Sequence, residues 1–314
     1  MALSEFGLIE RFFCPQTTPN PSTQLGIGDD CALLSIPPGY ELAVTTDTMV
    51  EDVHFFAGTD PGQLGHKLLA VNLSDLASMG AKPLSVTLAL TLPAPNENWL
   101  SDFAKEFLGL ARRYGVDLIG GDTTAGKLTL TVQALGLVPL GKALKRSAAK
   151  VGDGVYMTGW LGDAGLGLKI EQGYACDDPD AALSRFHRPI PQVEIGQALL
   201  GIAHACIDIS DGLAADLGHV LNKSGVGACL DWEALPLSAA VQRYIAETGD
   251  WTMPLTAGDD YELCFTVSPE NAAKLTIPCR KIGVIEAQPG LRLRKAGLRM
   301  PFEMKGFRHF SPAF

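Results

Sequence analysis

VDLIGGDTTAGKLTLTVQALGLV, residues 116–138, is the stretch that decides the fold class of this chain. Within it, GDTTAGKL (121–128) fits G-x-x-x-x-G-K, most of a phosphate-binding P-loop. A P-loop needs Ser or Thr after the lysine and a helix after the loop. Here Leu128 follows Lys127, and the residues beyond it alternate and are β-branched, as in a strand. The stretch therefore predicts two strands joined by an acidic turn, in which Lys127 does not bind phosphate.

The sequence before this stretch mixes strand and helix patterns. Residues 41–50 are typical of a strand that runs into a turn, and residues 84–92 form a mostly apolar β run. Residues 63–81 have helical spacing with Gly80 as a stop, and residues 98–115 form a clear amphipathic helix. Because there is no strict βαβ rhythm, the pattern favours an α+β architecture over a doubly wound sheet.

The sequence after it continues in the same mixed style. A length of 314 residues indicates about two domains, and a polar, glycine-containing segment near 140–150 marks the predicted boundary. We accordingly predict domains 1–142 and 143–314. In the second domain the patterns predict strands at 154–162 (with a turn), 261–267 and 279–287, and helices at 163–173, 191–205 and 212–225.

Composition limits the class of protein and its compartment. The formal net charge of −10, with no basic run, argues against a nucleic-acid partner. The seven cysteines are scattered singly without a C-x-x-C pair, which indicates reduced thiols. Glu5, Glu10 and Arg11 would interrupt a signal-peptide core. No apolar run reaches membrane length, so we expect no membrane partner and a cytoplasmic protein.

Aspartates recur beside glycine in several short motifs: IGDD (27–30), TTDT (45–48), GGDTT (120–124), DISDG (208–212) and AGDDYE (257–262), with Asp75 in NLSDLASMG. Any one of them could be ordinary turn chemistry. Several follow strand-like runs, which would place the carboxylates at one end of a sheet. Asp and Thr oxygens suit Mg²⁺, which usually shares its ligands with substrate phosphates. Together the motifs predict a site where Mg²⁺ ions bridge the protein to a polyphosphate.

Seven blocks, in this order and at this spacing, carry a family resemblance: IGDDCALL, TTDTMVEDVHF, VNLSDLASMGAKP, LIGGDTT, RSAAKVGDGVYMTGWLGDAGLGL, IDISDGLAADLGH and AGDDYELCF. They resemble thiamine-monophosphate kinase, of the aminoimidazole ribonucleotide synthetase-like superfamily. The resemblance implies ATP- and Mg²⁺-dependent phosphorylation of thiamine monophosphate to thiamine pyrophosphate. It also implies a two-domain α+β fold and a homodimer. The N-terminal mixed sheet would bind ATP and Mg²⁺ and dimerise, and a C-terminal α/β sandwich-like domain would complete the nucleotide and substrate site.

Site residues follow from the same resemblance, position by position. The implied magnesium ligands are Asp30, Thr45, Thr46, Asp47, Asp75, Asp122, Asp208 and Asp211. The implied ATP contacts are Gly121, Arg146 and Ser210, and the implied substrate contacts are His54, Glu262 and Phe307. The chain departs from the family pattern at Asp52 and Ala257, where glycine is common.

Chemistry read from the residues alone leaves some of these roles open. No general base is assigned, because a phosphate monoester is already largely ionised at neutral pH, with a second pKa of about 6. His54 could be a base or a binding and packing histidine, and Arg146 a phosphate contact or a surface arginine. Glu262 could pair with a cationic heterocycle or be an edge-strand carboxylate.

Two other function classes share parts of the pattern. One is another ATP-using enzyme of the superfamily, such as an aminoimidazole ribonucleotide or selenophosphate synthetase. The other is a non-catalytic nucleotide or metal sensor that keeps the fold. Within IGDD, we predict that Asp30 is the metal ligand and that Asp29 bonds backbone in the turn opened by Gly28.

Overall fold

The computed structural model describes residues 5–14, 20–303 and 305–307, and the chain divides into two compact units. The first unit holds the residues up to Leu76 together with Ala81–Gly141. The second holds Ala77–Gly80 and the chain from Lys142 onward. Each unit mixes helices with a largely antiparallel sheet, which confirms the α+β prediction.

The first unit is built on a four-stranded sheet in the order β3-β6-β4-β5, in which only β4 and β5 are parallel. A short two-stranded antiparallel sheet, β1-β2, precedes it. Its elements are α1 (Glu5–Leu8), a π-helix (Ile9–Phe13), β1 (Thr23–Leu25), β2 (Leu33–Leu34), β3 (Tyr40–Val50), α2 (Pro61–Ser78), β4 (Lys82–Leu92), α3 (Glu97–Tyr114), β5 (Asp117–Ala125) and β6 (Thr129–Pro139).

Helix α3 shows how local sequence defines an element. The Asn96 side chain accepts a hydrogen bond from the Trp99 N–H at 3.1 Å, which caps the first turn. Gly115 ends the helix in the left-handed conformation with φ 64°. The predicted apolar face is buried, with Phe103 and Phe107 fully inaccessible.

The four-stranded sheet has one covered face and one open face. Residues of β3 alternate in exposure, as a strand with one buried face does. On the open face of β3, Leu42 is 39% and Val44 55% exposed. Side chains of α2 bond the covered face of β3, and the open face is the one turned away from α2.

The second unit is built on a seven-stranded sheet in the order β13-β12-β9-β11-β7-β10-β8, in which only β9 and β12 are parallel. Its strands are β7 (Gly154–Met157), β8 (Ala205–Asp208), β9 (Gly227–Asp231), β10 (Leu263–Val267), β11 (Arg280–Glu286), β12 (Gly290–Lys295) and β13 (Leu298–Phe302). Its helices are α4 (Asp163–Glu171), α5 (Asp180–His187), α6 (Val193–Ala198), α7 (Leu213–Ser224), α8 (Ala239–Thr248), α9 (Met253–Thr256) and α10 (Pro269–Ala272), with a 3₁₀ turn at Trp232–Ala234.

The predicted helix 191–205 is wrong in length. Only Val193–Ala198 is helical, and β8 already begins at Ala205. Gly201 adopts φ 75° in the turn between them, a conformation that a continuing helix cannot contain. The P-loop rejection is confirmed, because β5 extends to Ala125 and β6 begins at Thr129, which leaves no room for a helix after Lys127.

No helix in the described part of the chain is both long and apolar enough to cross a membrane.

Candidate functional site

Two of the acidic motifs line one cavity in the first unit. The cavity holds about 530 Å³, and its walls include Asp29, Asp30, Gly121 and Asp122. Apolar side chains from the π-helix, β4 and β5 form much of the remaining wall. IGDD and GGDTT are about 90 residues apart in sequence, so the fold brings together two motifs whose meeting the sequence only suggested. Asp30 and Asp122 are both exposed.

Gly121 has a structural reason to be glycine besides any contact with ATP. A β-carbon at this position would collide with the backbone carbonyl oxygen of Leu88 on the parallel neighbour β4. The glycine therefore lets β5 approach β4 closely, directly before Asp122.

Asp29 and Asp30 differ in their surroundings. The Asp29 carboxylate accepts the Asp30 backbone N–H at 2.9 Å, in the turn where Gly28 adopts φ 125°. Asp29 thus makes the local backbone bond that was predicted for it. The role of Asp30 as a metal ligand stays a prediction.

Strand β3 and helix α2 bring together a second group of the predicted ligands. The Thr45 hydroxyl donates a short hydrogen bond to the Asp75 carboxylate, and the Asp47 N–H donates to the Asn72 side chain at 3.2 Å. Thr45 and Asp47 lie on the same face of β3 because they are two residues apart. Thr46 lies on the opposite face, where its hydroxyl is within 3.5 Å of Gln133. The Thr46 hydroxyl is therefore not grouped with the other three side chains.

His54 lies in the turn that follows β3. Its Nδ1 accepts the Val50 N–H at 3.0 Å, so a neutral ring carries its proton on Nε2. Asp52, where the family commonly has glycine, adopts φ 65°, and its carboxylate pairs with Lys127 at 3.1 Å. The positive φ explains the family's glycine, and aspartate is among the residues that tolerate it. At the other departure, Ala257 has φ −78°, so its β-carbon causes no backbone strain.

In the second unit, one end of the sheet gathers the predicted residues. Leu263 of β10 is paired with Asp208 at the end of β8, and Thr158 after β7 donates its N–H to the Leu263 carbonyl at 3.0 Å. Because β10 is antiparallel to both neighbours, its start meets their ends. Asp208 and Glu262 therefore lie at the same end of the sheet, and Ser210 and Asp211 follow in the next loop.

That loop, Ser210–Gly212, is held by a residue that the sequence reading missed. One oxygen of Asp216 accepts the backbone N–H groups of Ser210, Asp211 and Gly212 at 3.0, 3.0 and 3.1 Å. Burial raises the pKa of Asp216 to about 7, the nearby Asp211 charge adds to the rise, and the three N–H bonds oppose it. The available signal was an aspartate in the first turn of a predicted helix, directly after a glycine loop.

Glu262 is 1% exposed and already has partners. The Thr158 hydroxyl donates to its carboxylate at 2.5 Å, and Arg185 of α5 forms a short ion pair with it. Burial raises the pKa of Glu262, while Arg185 and Thr158 lower it. The edge-strand alternative is wrong, because β10, which Glu262 precedes, lies between β7 and β8. Arg185 was not among the predicted residues, and its sequence distance from Glu262 gave no signal.

The remaining predicted contacts are on the surface of the second unit. Phe307 is 48% exposed and donates its N–H to the Asp211 carbonyl at 3.1 Å. A β-carbon at Gly306 would collide with that same carbonyl oxygen, so the C-terminal segment approaches the Ser210–Gly212 loop closely. Arg146 is exposed, and its carbonyl accepts the Ser224 hydroxyl at 2.9 Å, which fixes the backbone but leaves the guanidinium at the surface.

The donor chemistry fits magnesium that is shared with a ligand. Within the described ranges, no three His, Cys, Asp or Glu side chains are arranged to enclose a metal ion. Mg²⁺ commonly uses only one or two carboxylates and completes its octahedron with water and phosphate oxygens. Asp30 and Asp122 on one cavity wall, and the Thr45–Asp75 pair with Asp47, supply such small sets of hard oxygens.

Comparison with known proteins finds similar proteins over nearly the whole chain. Residues 28–138 match the N-terminal domain of AIR synthase related protein, and residues 150–295 match its C-terminal domain. Thiamine-monophosphate kinase of Haemophilus influenzae is 48% identical over 300 residues, covering 92% of each chain. A crystal structure of thiamine-monophosphate kinase from Stenotrophomonas maltophilia superposes with a TM-score of 0.85 at 42% identity, covering 93% of this chain and 97% of that one. AaThiL, complexed with AMPPCP and TMP, superposes with a TM-score of 0.80 at 29% identity, covering 88% and 89%.

Proposed function

This chain belongs to the thiamine-monophosphate kinase family, and we propose that it transfers the γ-phosphoryl group of ATP directly to thiamine monophosphate, producing thiamine pyrophosphate. The observation that carries the proposal is the first-unit cavity, where the exposed carboxylates of Asp30 and Asp122 face a space of about 530 Å³. A protein with net charge −10 that gathers carboxylates around an open cavity suits a ligand that arrives with cations.

Phosphoryl transfer depends on positioning and charge neutralisation more than on a covalent relay. We assign the metal-holding role in the first unit to Asp30, Asp47, Asp75 and Asp122, with Thr45 and the backbone of Thr46, and in the second unit to Asp208 and Asp211. When bound, Mg²⁺ would neutralise phosphate charge and lower the repulsion between donor and acceptor. Gly121, Arg146 and Ser210 are assigned to ATP. The arginine supplies a guanidinium fork, and Ser210 supplies a hydroxyl on a fixed loop.

The thiamine side uses three further residues in this proposal. His54 has its Nδ1 occupied by the Val50 N–H, so its Nε2–H is the group that can donate to a phosphate. Phe307 is half-exposed and offers a ring face to the heterocycle. Glu262 supplies a negative charge for the cationic substrate, although its carboxylate is already bound by Arg185 and Thr158.

We also propose a cytoplasmic homodimer that forms through the open face of the four-stranded sheet. Support comes from Leu42 and Val44, two apolar side chains that are exposed on that face and alternate with the less exposed Ala43 and Thr45. All seven cysteines are free, as expected in a reducing compartment. Val44→Glu should shift the protein toward a monomer in analytical ultracentrifugation. A sedimentation coefficient unchanged from wild type would count against this interface.

The activity is tested by measuring ADP release with thiamine, thiamine monophosphate and the precursor of aminoimidazole ribonucleotide as acceptors. We expect Mg²⁺-dependent release with thiamine monophosphate alone, matched by equimolar thiamine pyrophosphate. Release with the aminoimidazole precursor would indicate the synthetase alternative. ATP binding without release for any acceptor would indicate the sensor alternative.

A further inference from the structure

In the loop Ser210–Gly212, both the backbone N–H groups and the backbone carbonyls form hydrogen bonds with the rest of the protein. On the donor side, one oxygen of Asp216 accepts all three consecutive N–H groups at 3.0–3.1 Å. On the acceptor side, the Ser210 carbonyl receives the Asp259 N–H at 2.9 Å and the Asp211 carbonyl receives the Phe307 N–H at 3.1 Å. The backbone groups are thereby used up in holding the loop.

The location of Asp216 makes this arrangement rigid. The residue lies in the first turn of α7 and is only 3% exposed. A buried carboxylate that accepts several backbone N–H groups is strongly held, because leaving those donors or the acid unpaired would be costly. The side chains of Ser210 and Asp211 remain partly exposed above it.

We propose that Asp216 is a positioning residue for nucleotide binding, which fixes the Ser210–Gly212 backbone so that the Ser210 and Asp211 side chains are presented to Mg²⁺-ATP. The inference rests on the proposed function, since it takes Ser210 and Asp211 as nucleotide and metal contacts. Asp216 itself touches neither ligand in this proposal and acts only through the loop.

The hydrogen-bond geometry distinguishes the role of shape from that of charge. All three N–H groups reach the same oxygen of Asp216, so a single amide oxygen could accept them equally. Asp216→Asn therefore keeps the loop while removing the charge. Asp216→Ser shortens the side chain and cannot reach three donors at once, and Asp216→Ala offers no acceptor.

Asp153 supplies a matched control in the same unit. It is 2% exposed, accepts the Lys150 N–H at 2.9 Å and bonds His204 at 2.9 Å. It precedes β7, at the end of the sheet opposite to Thr158 and Asp208. Asp153→Ala thus removes a buried, backbone-bonding carboxylate without touching the loop.

The test combines three measurements on the full chain. Hydrogen exchange is followed in the peptide that contains Ser210–Gly212, AMPPCP affinity is titrated with Mg²⁺ present, and KM values are measured for both substrates. For Asp216→Ser and Asp216→Ala we expect faster hydrogen exchange in the loop. AMPPCP affinity should fall at least tenfold, and the KM for ATP should rise at least tenfold. The KM for thiamine monophosphate should change less than threefold.

Asp216→Asn should keep loop exchange and AMPPCP affinity within threefold of wild type, and Asp153→Ala should lower thermal stability without weakening AMPPCP. If Asp216→Asn weakens AMPPCP tenfold, the positioning role is overturned. It is also overturned if a folded Asp216→Ser or Asp216→Ala binds AMPPCP within threefold of wild type; Asp216→Ser, which keeps a hydroxyl acceptor, is the variant that serves if Asp216→Ala does not fold. Equal loss of AMPPCP affinity in Asp153→Ala would also overturn it. Exchange and AMPPCP binding need no acceptor, so a wrong acceptor assignment would appear only in the wild-type ADP assay.

Discussion

Key acidic residues of the two units differ in how far they are exposed to solvent. In the first unit, Asp30 and Asp122 are exposed on the wall of an open cavity. In the second, Asp216, Asp260 and Glu262 are each at most 3% exposed and are bound by the protein itself. Asp260, for example, accepts the Gly162 N–H at 3.0 Å and the Ala164 N–H at 3.4 Å.

This difference separates two uses of a carboxylate. An exposed pair that faces a cavity keeps its charge available for a cation from solution, and its removal should alter function with little effect on folding. A buried carboxylate that accepts internal hydrogen bonds shapes the backbone, and its removal should lower stability as well. Substitution of an exposed carboxylate should therefore change mainly activity, whereas substitution of a buried one should change stability.

The largest effect is expected at Asp122. Asp122→Asn should lower turnover at millimolar Mg²⁺ by about a thousandfold, near 4 kcal/mol, because an amide is a poor ligand for the proposed metal. The melting temperature in chelator should stay near that of wild type, since the side chain is exposed. Steady-state ADP release is the measurement, with Asp102→Asn on the exposed side of α3 as the control. Retention of more than about a tenth of wild-type turnover, a loss under 1.4 kcal/mol, would contradict the metal assignment.

In the second unit, Arg185→Met should act on folding first. It leaves the Glu262 charge buried without its cation, and breaking such a pair from one side costs about 3 kcal/mol. Urea unfolding followed by tryptophan fluorescence measures the change. Adding Glu262→Gln to Arg185→Met should restore part of the loss, because the unpaired charge is then gone. A surface ion pair contributes up to about 1 kcal/mol. If the free energy of unfolding of Arg185→Met differs from wild type by no more than that, the buried pair does not stabilise this unit.

A smaller effect separates the two aspartates of IGDD. Asp30→Asn should raise the Mg²⁺ concentration for half-maximal rate by about tenfold, equivalent to 1.4 kcal/mol. Asp29→Asn should leave it nearly unchanged, because Asn can still accept the Asp30 N–H that Asp29 now binds. Both are read from Mg²⁺ titrations of initial rate. A larger shift for Asp29→Asn than for Asp30→Asn would mean that the two roles are reversed.

The smallest effect is expected for Lys127→Ala. The Lys127–Asp52 pair is exposed on both sides, so its loss should change the unfolding free energy by less than about 1 kcal/mol. Turnover should stay within about threefold, well under 1 kcal/mol, because Lys127 lies between two strands rather than in a P-loop. A thousandfold fall in turnover, about 4 kcal/mol, would reinstate phosphate binding by this lysine.

The sequence predicted secondary structure best in long segments with a regular apolar pattern. Helix α3 and strands β4 and β6 have regular apolar patterns, and all three form close to the predicted residues. The helix predicted over 191–205 was too long because apolar spacing continues past Gly201, whose positive φ ends regular structure. The motifs suggested that the acidic clusters share one site, and two of them, IGDD and GGDTT, line one cavity.

Other features of the site depend on contacts that a single sequence does not display. Arg185 meets Glu262 across 77 residues of sequence, which no local pattern indicates. Asp216 bonds the backbone of the preceding loop, and its only sequence signal is its place in the first turn of a helix. The grouping of Thr45 with Asp75 but not with Thr46 follows from strand alternation once the helix is known to cover that face. The ligand and substrate roles of the predicted residues stay predictions.

The second unit is discontinuous in sequence, because Ala77–Gly80 belong to it but are separated from its other residues by Ala81–Gly141 of the first unit. Gly196 must be glycine because a β-carbon would collide with the Ala77 carbonyl, and the Leu144 N–H donates to the Met79 carbonyl at 3.1 Å. A fragment that starts at Lys142 would thus lack part of its own packing. During synthesis these four residues leave the ribosome before the rest of their unit, so they can pack only after Leu144 and Gly196 have been made. Anyone who wishes to express this unit alone would have to graft Ala77–Gly80 onto it.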